Sequence, residues 1–435
     1  MSSWWLILLP LSPLPVGADK AVCRRRPWAT YAILALNALV YLTTLPDHSV
    51  DGGDALFQRW GLVPGDFRAA SLLTAPFFHV SLQHLFWNLL VLWVFGPLVE
   101  DALGPLTFTV LYLGGGAIAG LLDVAIVRLF AAHSDAFQAL LTVPVVGASG
   151  AIAAILAPFV IRYHRSKIRL LWLPALAFGR QAEFQLPAVY AFAFLVLENI
   201  AGAIYGYARP LSGDIAYWAH LGGFAFGFAV AGMSGLFLDG AREYLLDDAR
   251  AASAQGPAGY AVAVSKYQAY LELQPADLTV RLECIAALAG LSRANGNPTL
   301  ARQAGADLQS LLRTALDAAD LRRVVEIVAL GRKLSLPLDI PARERLRIAT
   351  AAQETGDRPT AVALLESLLA DQASTPAPVS PVPSDDEIAR LKLGQLLVDS
   401  DPARAAVVLD SLIQRYPESD WIRMARQLRA QLPSR

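Results

Sequence analysis

Four side chains define what this chain could do chemically: His84, Asn88, Ser149 and His220. Each lies in a stretch otherwise built from apolar residues, where a polar group is costly and therefore a candidate for function. The local sequences are His79-Val-Ser-Leu-Gln-His84-Leu-Phe-Trp-Asn88, Val146-Gly147-Ala148-Ser149-Gly150-Ala151 and Ala219-His220-Leu221-Gly222-Gly223. A serine hydroxyl is a weak nucleophile at its own pKa and needs an adjacent base; His220 can be that base. The tetrahedral intermediate of acyl transfer then needs preorganised hydrogen-bond donors. His84 and Asn88, four residues apart and so on one helix face, can supply them, together with the Ser149 amide at a helix start. Gly147 and Gly150 leave room for the backbone to turn closely around the serine. No carboxylate is placed by spacing to complete a triad, so the pattern predicts a Ser149–His220 dyad. Ala151 stands where a Gly-x-Ser-x-Gly elbow needs its second glycine, which removes the soluble α/β-hydrolase reading.

The elements that must position these groups are membrane helices. The 435 residues are 55 % hydrophobic and 17 % charged, against about 25 % charged in ordinary soluble domains. The charge is uneven: about 11 % of residues 1–240 are charged and about 24 % of residues 241–435. A helix needs about 20 apolar residues to cross a bilayer. Six stretches approach this, at 28–46, 82–99, 106–129, 148–162, 186–207 and 217–238. The second, fourth and sixth cross in the same direction, so His84, Asn88, Ser149 and His220 fall at one depth, near the starts of those three helices. Any one of the four alone would read as a helix-packing residue; their common depth is what reads as a site.

Lysine and arginine near the span ends orient the bundle. Arg24–Arg26, the Arg162–Arg169 cluster, and Arg242 with Arg250 share one face in a six-span arrangement. This predicts both chain ends in the cytoplasm. The scarcity of lysine beside arginine suggests a GC-rich bacterial genome, hence a bacterial plasma membrane. Met1–Val16 is apolar but contains three prolines, and its positive charges follow the apolar run, the reverse of a signal peptide. It reads as an interfacial or disordered segment.

With these residues in place, the first half resembles the rhomboid family of intramembrane serine proteases over roughly residues 28–238. The resemblance rests on His79, His84 and Asn88, on Glu100-x-x-x-Gly104, on Gly147-Ala148-Ser149-Gly150 and on His220-x-x-Gly223-x-x-x-Gly227. It implies that Ser149 is the nucleophile, His220 the base, and His84 and Asn88 the lining of the oxyanion hole. It also implies that His79 orders water and nearby backbone, that Glu100 ties down the first outer loop, and that segment 47–75 is that loop. Gly223 and Gly227 have small-xxx-small spacing, which lets two helices approach closely and would set the sixth helix against the fourth. In the family an aromatic residue often follows the nucleophile by four positions and stacks on the histidine. Here that position is Ala153, so His220 is expected to be held some other way, for instance by another aromatic.

The second half carries no visible chemistry. Residues 241–257 read as a charged connector and 258–435 as paired helices marked by recurrent turns, such as Asn295-Gly296-Asn297-Pro298 and Gly356-Asp357-Arg358-Pro359. These resemble degenerate tetratricopeptide repeats, with a Pro-rich loop at 374–384. Such solenoids present surfaces to protein or peptide partners, here one in the cytoplasm. A net charge of −1 gives no basic field for nucleic acid, and two distant cysteines give neither a disulfide framework nor a metal site. No cofactor or metal is expected.

The expected fold is all-α: residues 1–27 an N-terminal segment, 28–240 a six-helix rhomboid-like bundle, 241–257 a connector, and 258–435 a tetratricopeptide-like solenoid. The expected function is hydrolysis of peptide bonds in or near transmembrane helices of protein substrates in the lipid bilayer. The alternative is a non-catalytic membrane adaptor that holds clients and recruits partners. A transporter would need inverted repeats or interrupted helix pairs, and the sequence has neither.

Overall fold

The computed structural model describes residues 13–19, 23–48, 52–172, 182–208, 216–372 and 384–432. Most of the expected N-terminal segment Met1–Val16 and nearly all of the Pro-rich loop 374–384 lie outside them. The chain divides into two units, Met1–Glu243 and Tyr244–Arg435.

The first unit opens with strand β1 (Leu14–Ala18) and continues through α1 (Trp28–Thr44), α2 (Gly52–Trp60), α3 (Ser71–Thr74), α4 (Leu82–Leu103), α5 (Pro105–Ala131), α6 (Asp135–Leu140) and α7 (Ser149–Arg162). Strands β2 (Lys167–Leu171) and β3 (Glu183–Pro187) follow, then α8 (Ala188–Ala208) and α9 (Tyr217–Met233). Helix α10 (Leu236–Ala254) contains the division between the units. The stretch expected to be a connector is thus largely helical, because Leu236–Ala254 holds no proline or internal turn signal beyond Gly240.

All six apolar stretches are helices. By length and composition α4, α5 and α8 can each cross a membrane; α9 with α10, bent by 66° at Ser234–Gly235, makes a fourth crossing if the pair is one span. Helices α1 and α7 are apolar but shorter, at 17 and 14 residues. At 1.5 Å per residue α7 is about 21 Å long, less than the ~30 Å hydrocarbon core. It is the central helix: α4, α5 and α9 all pack on it. Ten of its fourteen residues are buried, several of them alanines that let neighbours approach. Around it Leu92, Phe95, Val99, Phe108, Tyr112, Ile155 and Phe159 form the core.

A small sheet was not expected from the sequence. Strands β1, β2 and β3 pair in that order, antiparallel, with Leu14 opposite Leu171 and Lys167 opposite Pro187. Its β1–β2 pairing joins residues 150 or more positions apart and is invisible to local periodicity. The fold remains all-α in its architecture.

The second unit is a succession of helices: α11 (Tyr260–Leu273), α12 (Leu278–Asn295), α13 (Pro298–Asp317), α14 (Leu321–Leu334), α15 (Ala342–Glu354), α16 (Arg358–Gln372), α17 (Asp385–Leu397), α18 (Pro402–Arg415) and α19 (Ile422–Ala430). Each packs mainly on its sequence neighbours, the pattern of a solenoid. The turn motifs act as caps. Asn297 Oδ1 accepts from the Thr299 amide (3.0 Å) just after Gly296, which ends α12 at φ +62°. Asp357 Oδ1 accepts from the Thr360 amide (3.2 Å) after Gly356 at φ +84°. Such caps contribute about 1 kcal/mol each.

Candidate active site

The site is assembled around the turn that leads into α7. Gly147 has φ +122°, a region L side chains rarely adopt. Its amide donates to the Ala75 carbonyl (3.0 Å), and the Ala148 amide donates to His79 Nε2 (3.4 Å). Segment 47–75 braces the same turn: Leu62 and Val145 exchange backbone hydrogen bonds (2.9 Å each), and the Gly65 amide donates to Leu141 O (2.7 Å). The turn is therefore held from two sides before α7 begins at Ser149. The amides of the first helical turn have no intrahelical acceptor and sit at the positive end of the helix dipole.

His84 lies in the first turn of α4, whose N-cap Ser81 Oγ accepts from the His84 amide (3.2 Å). Its ring rests over Gly147: a Cβ at that glycine would come within 2.6 Å of His84 Cε1 and 2.8 Å of Nε2. The rings of His79 and His84 meet edge to face, centroids 5.0 Å apart. Asn88, one turn along α4 and buried, donates from Nδ2 to the His84 carbonyl (3.1 Å). An amide nitrogen has two hydrogens, so one stays free of that bond.

His220 comes from α9, which packs on α7 with no side chains between the backbones. A Cβ on Gly223 would lie 2.2 Å from the Gly150 carbonyl oxygen, and one on Gly227 would lie 2.2 Å from that of Ala154. His220 is one turn before Gly223, and Ser149 is next to Gly150. Gly150 itself abuts Ala119 of α5, where a Cβ would meet the alanine methyl at 2.6 Å. The structure thus gathers Ser149, His220, His84, His79, Gly147, Gly150 and Gly223 in one region, with Asn88 and Gly227 a turn away.

Glu100 does not join them. It lies sixteen residues beyond His84 on α4, about 24 Å along the helix. There Oε1 accepts from the Ala29 amide (2.9 Å), and Oε2 from the Thr30 amide and hydroxyl (2.7 Å each). The expected tie to the first outer loop is replaced by a cap on α1. A carboxylate belongs at a helix N-terminus, where free amides and the dipole favour it.

The imidazole of His220 is held by an amide, which is the other way that Ala153 calls for; the aromatic offered as an example is not what meets it among the described residues. His220 Nδ1 is 2.7 Å from Asn199 Oδ1 on α8. The sequence reading missed Asn199, although it carried the signal used for Asn88: an amide inside an apolar span. Ala153 is buried and its methyl would lie 3.0 Å from a Cβ on Gly223, so the small residue serves the close approach of α9. Among the described residues, no three His, Cys, Asp or Glu side chains gather to hold a metal ion.

Comparison with known proteins bears on the family. Residues 66–236 match the rhomboid domain family, and residues 389–419 match a tetratricopeptide repeat. Presenilin-associated rhomboid-like protein A, mitochondrial, of Danio rerio is 29 % identical over 160 residues, 37 % of this chain and 36 % of that protein. Rhomboid protein 1, mitochondrial, of Saccharomyces cerevisiae is 31 % identical over 197 residues, 44 % of this chain and 49 % of that protein. Presenilin-associated rhomboid-like protein, mitochondrial, of Homo sapiens is 28 % identical over 156 residues, 36 % of this chain and 35 % of that protein. The match spans half or less of these relatives' length. Their names overturn the expected bacterial plasma membrane, since all three are mitochondrial proteins. The physical reason is plain: a lysine-to-arginine ratio reflects codon usage, and positive charges orient a chain in whichever membrane it enters without naming that membrane.

Proposed function

We propose that this chain, which belongs to the rhomboid family and carries a tetratricopeptide-like C-terminal region, is an intramembrane serine endopeptidase acting on transmembrane segments of protein substrates. The observation that carries the reading is the seam of α7 and α9, where Gly150 and Gly223 meet backbone to backbone and bring His220 to the start of the helix that Ser149 opens.

Ser149 Oγ attacks the carbonyl carbon of the substrate peptide bond while His220 accepts its proton. Negative charge develops on the carbonyl oxygen. The Ser149 amide, His84 and the free Asn88 hydrogen are its donors, and donors fixed before the reaction cost no reorganisation. Collapse of the intermediate expels the amine, which takes the proton from His220. Water then cleaves the acyl-enzyme by the same steps in reverse order. A peptide bond inside an intact helix is shielded by its own turns, so the substrates are segments with helix-weak residues such as Gly, Pro or Ser near the cut.

The C-terminal solenoid is read as the holder of a protein or peptide partner. Deletion of residues 258–435 is expected to change which membrane proteins are cleaved in cells; an unchanged set of products excludes this role.

The test of the central reading uses purified full-length protein in lipid vesicles with a transmembrane substrate carrying a Gly or Pro near its middle. Ser149→Ala should abolish both cleavage and labelling by a fluorophosphonate probe. Cleavage that survives the substitution rejects Ser149 as the nucleophile. Absence of probe labelling and of cleavage in the unmodified protein favours an adaptor instead.

A further inference from the structure

We propose that Asn199 is a positioning residue for His220, so that the working unit is Ser149–His220–Asn199 and not a dyad. This rests on the reading of Ser149 as nucleophile and His220 as base.

The hydrogen-bond inventory decides which atoms face each other. Asn199 Nδ2 lies 2.8 Å from the Leu195 carbonyl and 3.2 Å from Glu198 Oε2. Both are acceptors, so both amide hydrogens are engaged there. The amide oxygen therefore points at the ring, and an oxygen can only accept. His220 Nδ1 must carry the hydrogen, and the 2.7 Å bond runs from Nδ1–H to Asn199 Oδ1. This leaves the lone pair of the neutral ring on Nε2. The tautomer needed in a base that takes a serine proton through Nε2 is thus set by α8.

The bond is also held in register. Helices α8 and α9 run antiparallel, and three contacts keep step along them. Asn199 meets His220. One turn further on α8, Gly202 receives the ring of Tyr217, one turn earlier on α9; a Cβ on that glycine would lie 2.4 Å from the ring. In the other direction Phe192 packs edge to face against Phe224 and Phe228, centroids 5.2 and 5.6 Å apart. Asn199 is 2 % exposed although α8 as a whole presents most of its surface outward. Its burial is local to the contact with His220.

The choice of an amide follows from the surroundings. A carboxylate at this position would face the Glu198 carboxylate and the Leu195 carbonyl with no hydrogen to give either. An amide supplies the same acceptor without the charge. Among the described residues, the hydrogen bond to Asn199 is the specific contact fixing the imidazole.

The experiment compares Asn199→Leu with the unmodified full-length protein in vesicles. Leucine has nearly the shape of asparagine and suits a membrane helix, so the fold is retained while the acceptor is lost. The expected result for Asn199→Leu is a kcat lower by ~10²-fold with KM within about twofold, less than the ~10⁴-fold lost when the third member of a serine-protease triad imposes the wrong tautomer. In protein labelled with 15N-histidine, with the His220 signals identified by their loss in His220→Gln, Nδ1 should be the protonated nitrogen. That signature should vanish in Asn199→Leu. An unchanged kcat and an unchanged His220 signature in Asn199→Leu overturn the proposal. Should Ser149→Ala also leave cleavage intact, the failure lies with the nucleophile and not with Asn199.

Discussion

Gly223 of α9 rests on the carbonyl oxygen of Gly150 of α7, so closely that a single added carbon would come within 2.2 Å of it. This contact sets the separation of the helices that carry Ser149 and His220. Substitution Gly223→Ala is expected to push α9 outward. Overpacking of this kind costs about 1–3 kcal/mol of stability, and a displacement of ~1 Å between reacting groups costs on the order of 10² in rate. Cleavage should therefore fall far more than the unfolding temperature in detergent. Equal activity in Gly223→Ala would show that the seam is not what spaces the two residues.

Ala153 beside this seam leads to a prediction against the family pattern. Introducing the missing ring with Ala153→Tyr is expected to lower activity and not to improve it. The position is buried, and the space a ring would need is filled by the approach of α9. Rates of substrate cleavage in vesicles decide the matter, and a faster Ala153→Tyr enzyme would refute it.

The proposed oxyanion donors can be tested apart from the proposed nucleophile. His84→Ala and Asn88→Ala should each reduce kcat by ~10²–10³-fold, the usual cost of one lost donor. Gly147→Ala should be as damaging without removing any donor, because φ is +122° there and the new methyl would press on the His84 ring. Probe labelling of Ser149 should persist, slowed, in the His84 and Asn88 variants.

Glu100 makes a contrasting prediction. Its carboxylate receives three hydrogen bonds at the start of α1, and hydrogen bonds to a charged group contribute about 1.5–3 kcal/mol each. Glu100→Ala should lower the unfolding temperature of the membrane unit markedly. At temperatures where the variant stays folded, kcat should remain within a few-fold of the parent. A selective loss of kcat with normal stability would place Glu100 in the chemistry after all.

In the second unit Asp386 gives a pH dependence with a definite sign. Burial alone would push its carboxyl up, but hydrogen bonds from Arg390 and Tyr416 and the charges of Arg390 and Arg415 outweigh this and hold it below the ordinary Asp range. The Arg390 Nε donor is 2.8 Å from Oδ2 and the Tyr416 hydroxyl 2.7 Å. A depressed folded pKa stabilises the fold above the unfolded value, near 4, and that stability is lost as pH falls through the folded value. Hydrogen exchange of α17 and α18 in the full-length protein should accelerate below about pH 4. Asp386→Asn should flatten this dependence and destabilise the repeat at pH 7, since it removes the negative charge that Arg390 and Arg415 face.

Much of this protein follows from its sequence through local rules. Apolar runs became helices at all six expected places, because a backbone in hydrocarbon must satisfy its own hydrogen bonds. The Gly, Asn and Pro turn motifs became caps between the solenoid helices, because φ above zero and free helix amides have few chemical solutions. Ser149, His84, Asn88 and His220 stood out because polar groups are rare and expensive in such runs. Their gathering at one end followed from the alternation of helix direction alone.

What the tertiary structure decided was which polar group meets which. Glu100 lay in the right motif yet caps α1, because the far end of a 22-residue helix is beyond reach of the loop it was expected to hold. Asn199 carried the same local signal as Asn88, but its meaning depended on the antiparallel register of α8 and α9, which brings it to 2.7 Å from His220. Strand β1 found β2 across some 150 residues by pairing that no local pattern encodes. Residue type and spacing determine what a group can do; only the packing of distant elements determines what it does it to, because side-chain contacts between helices are set by close-packed surfaces and not by chain order.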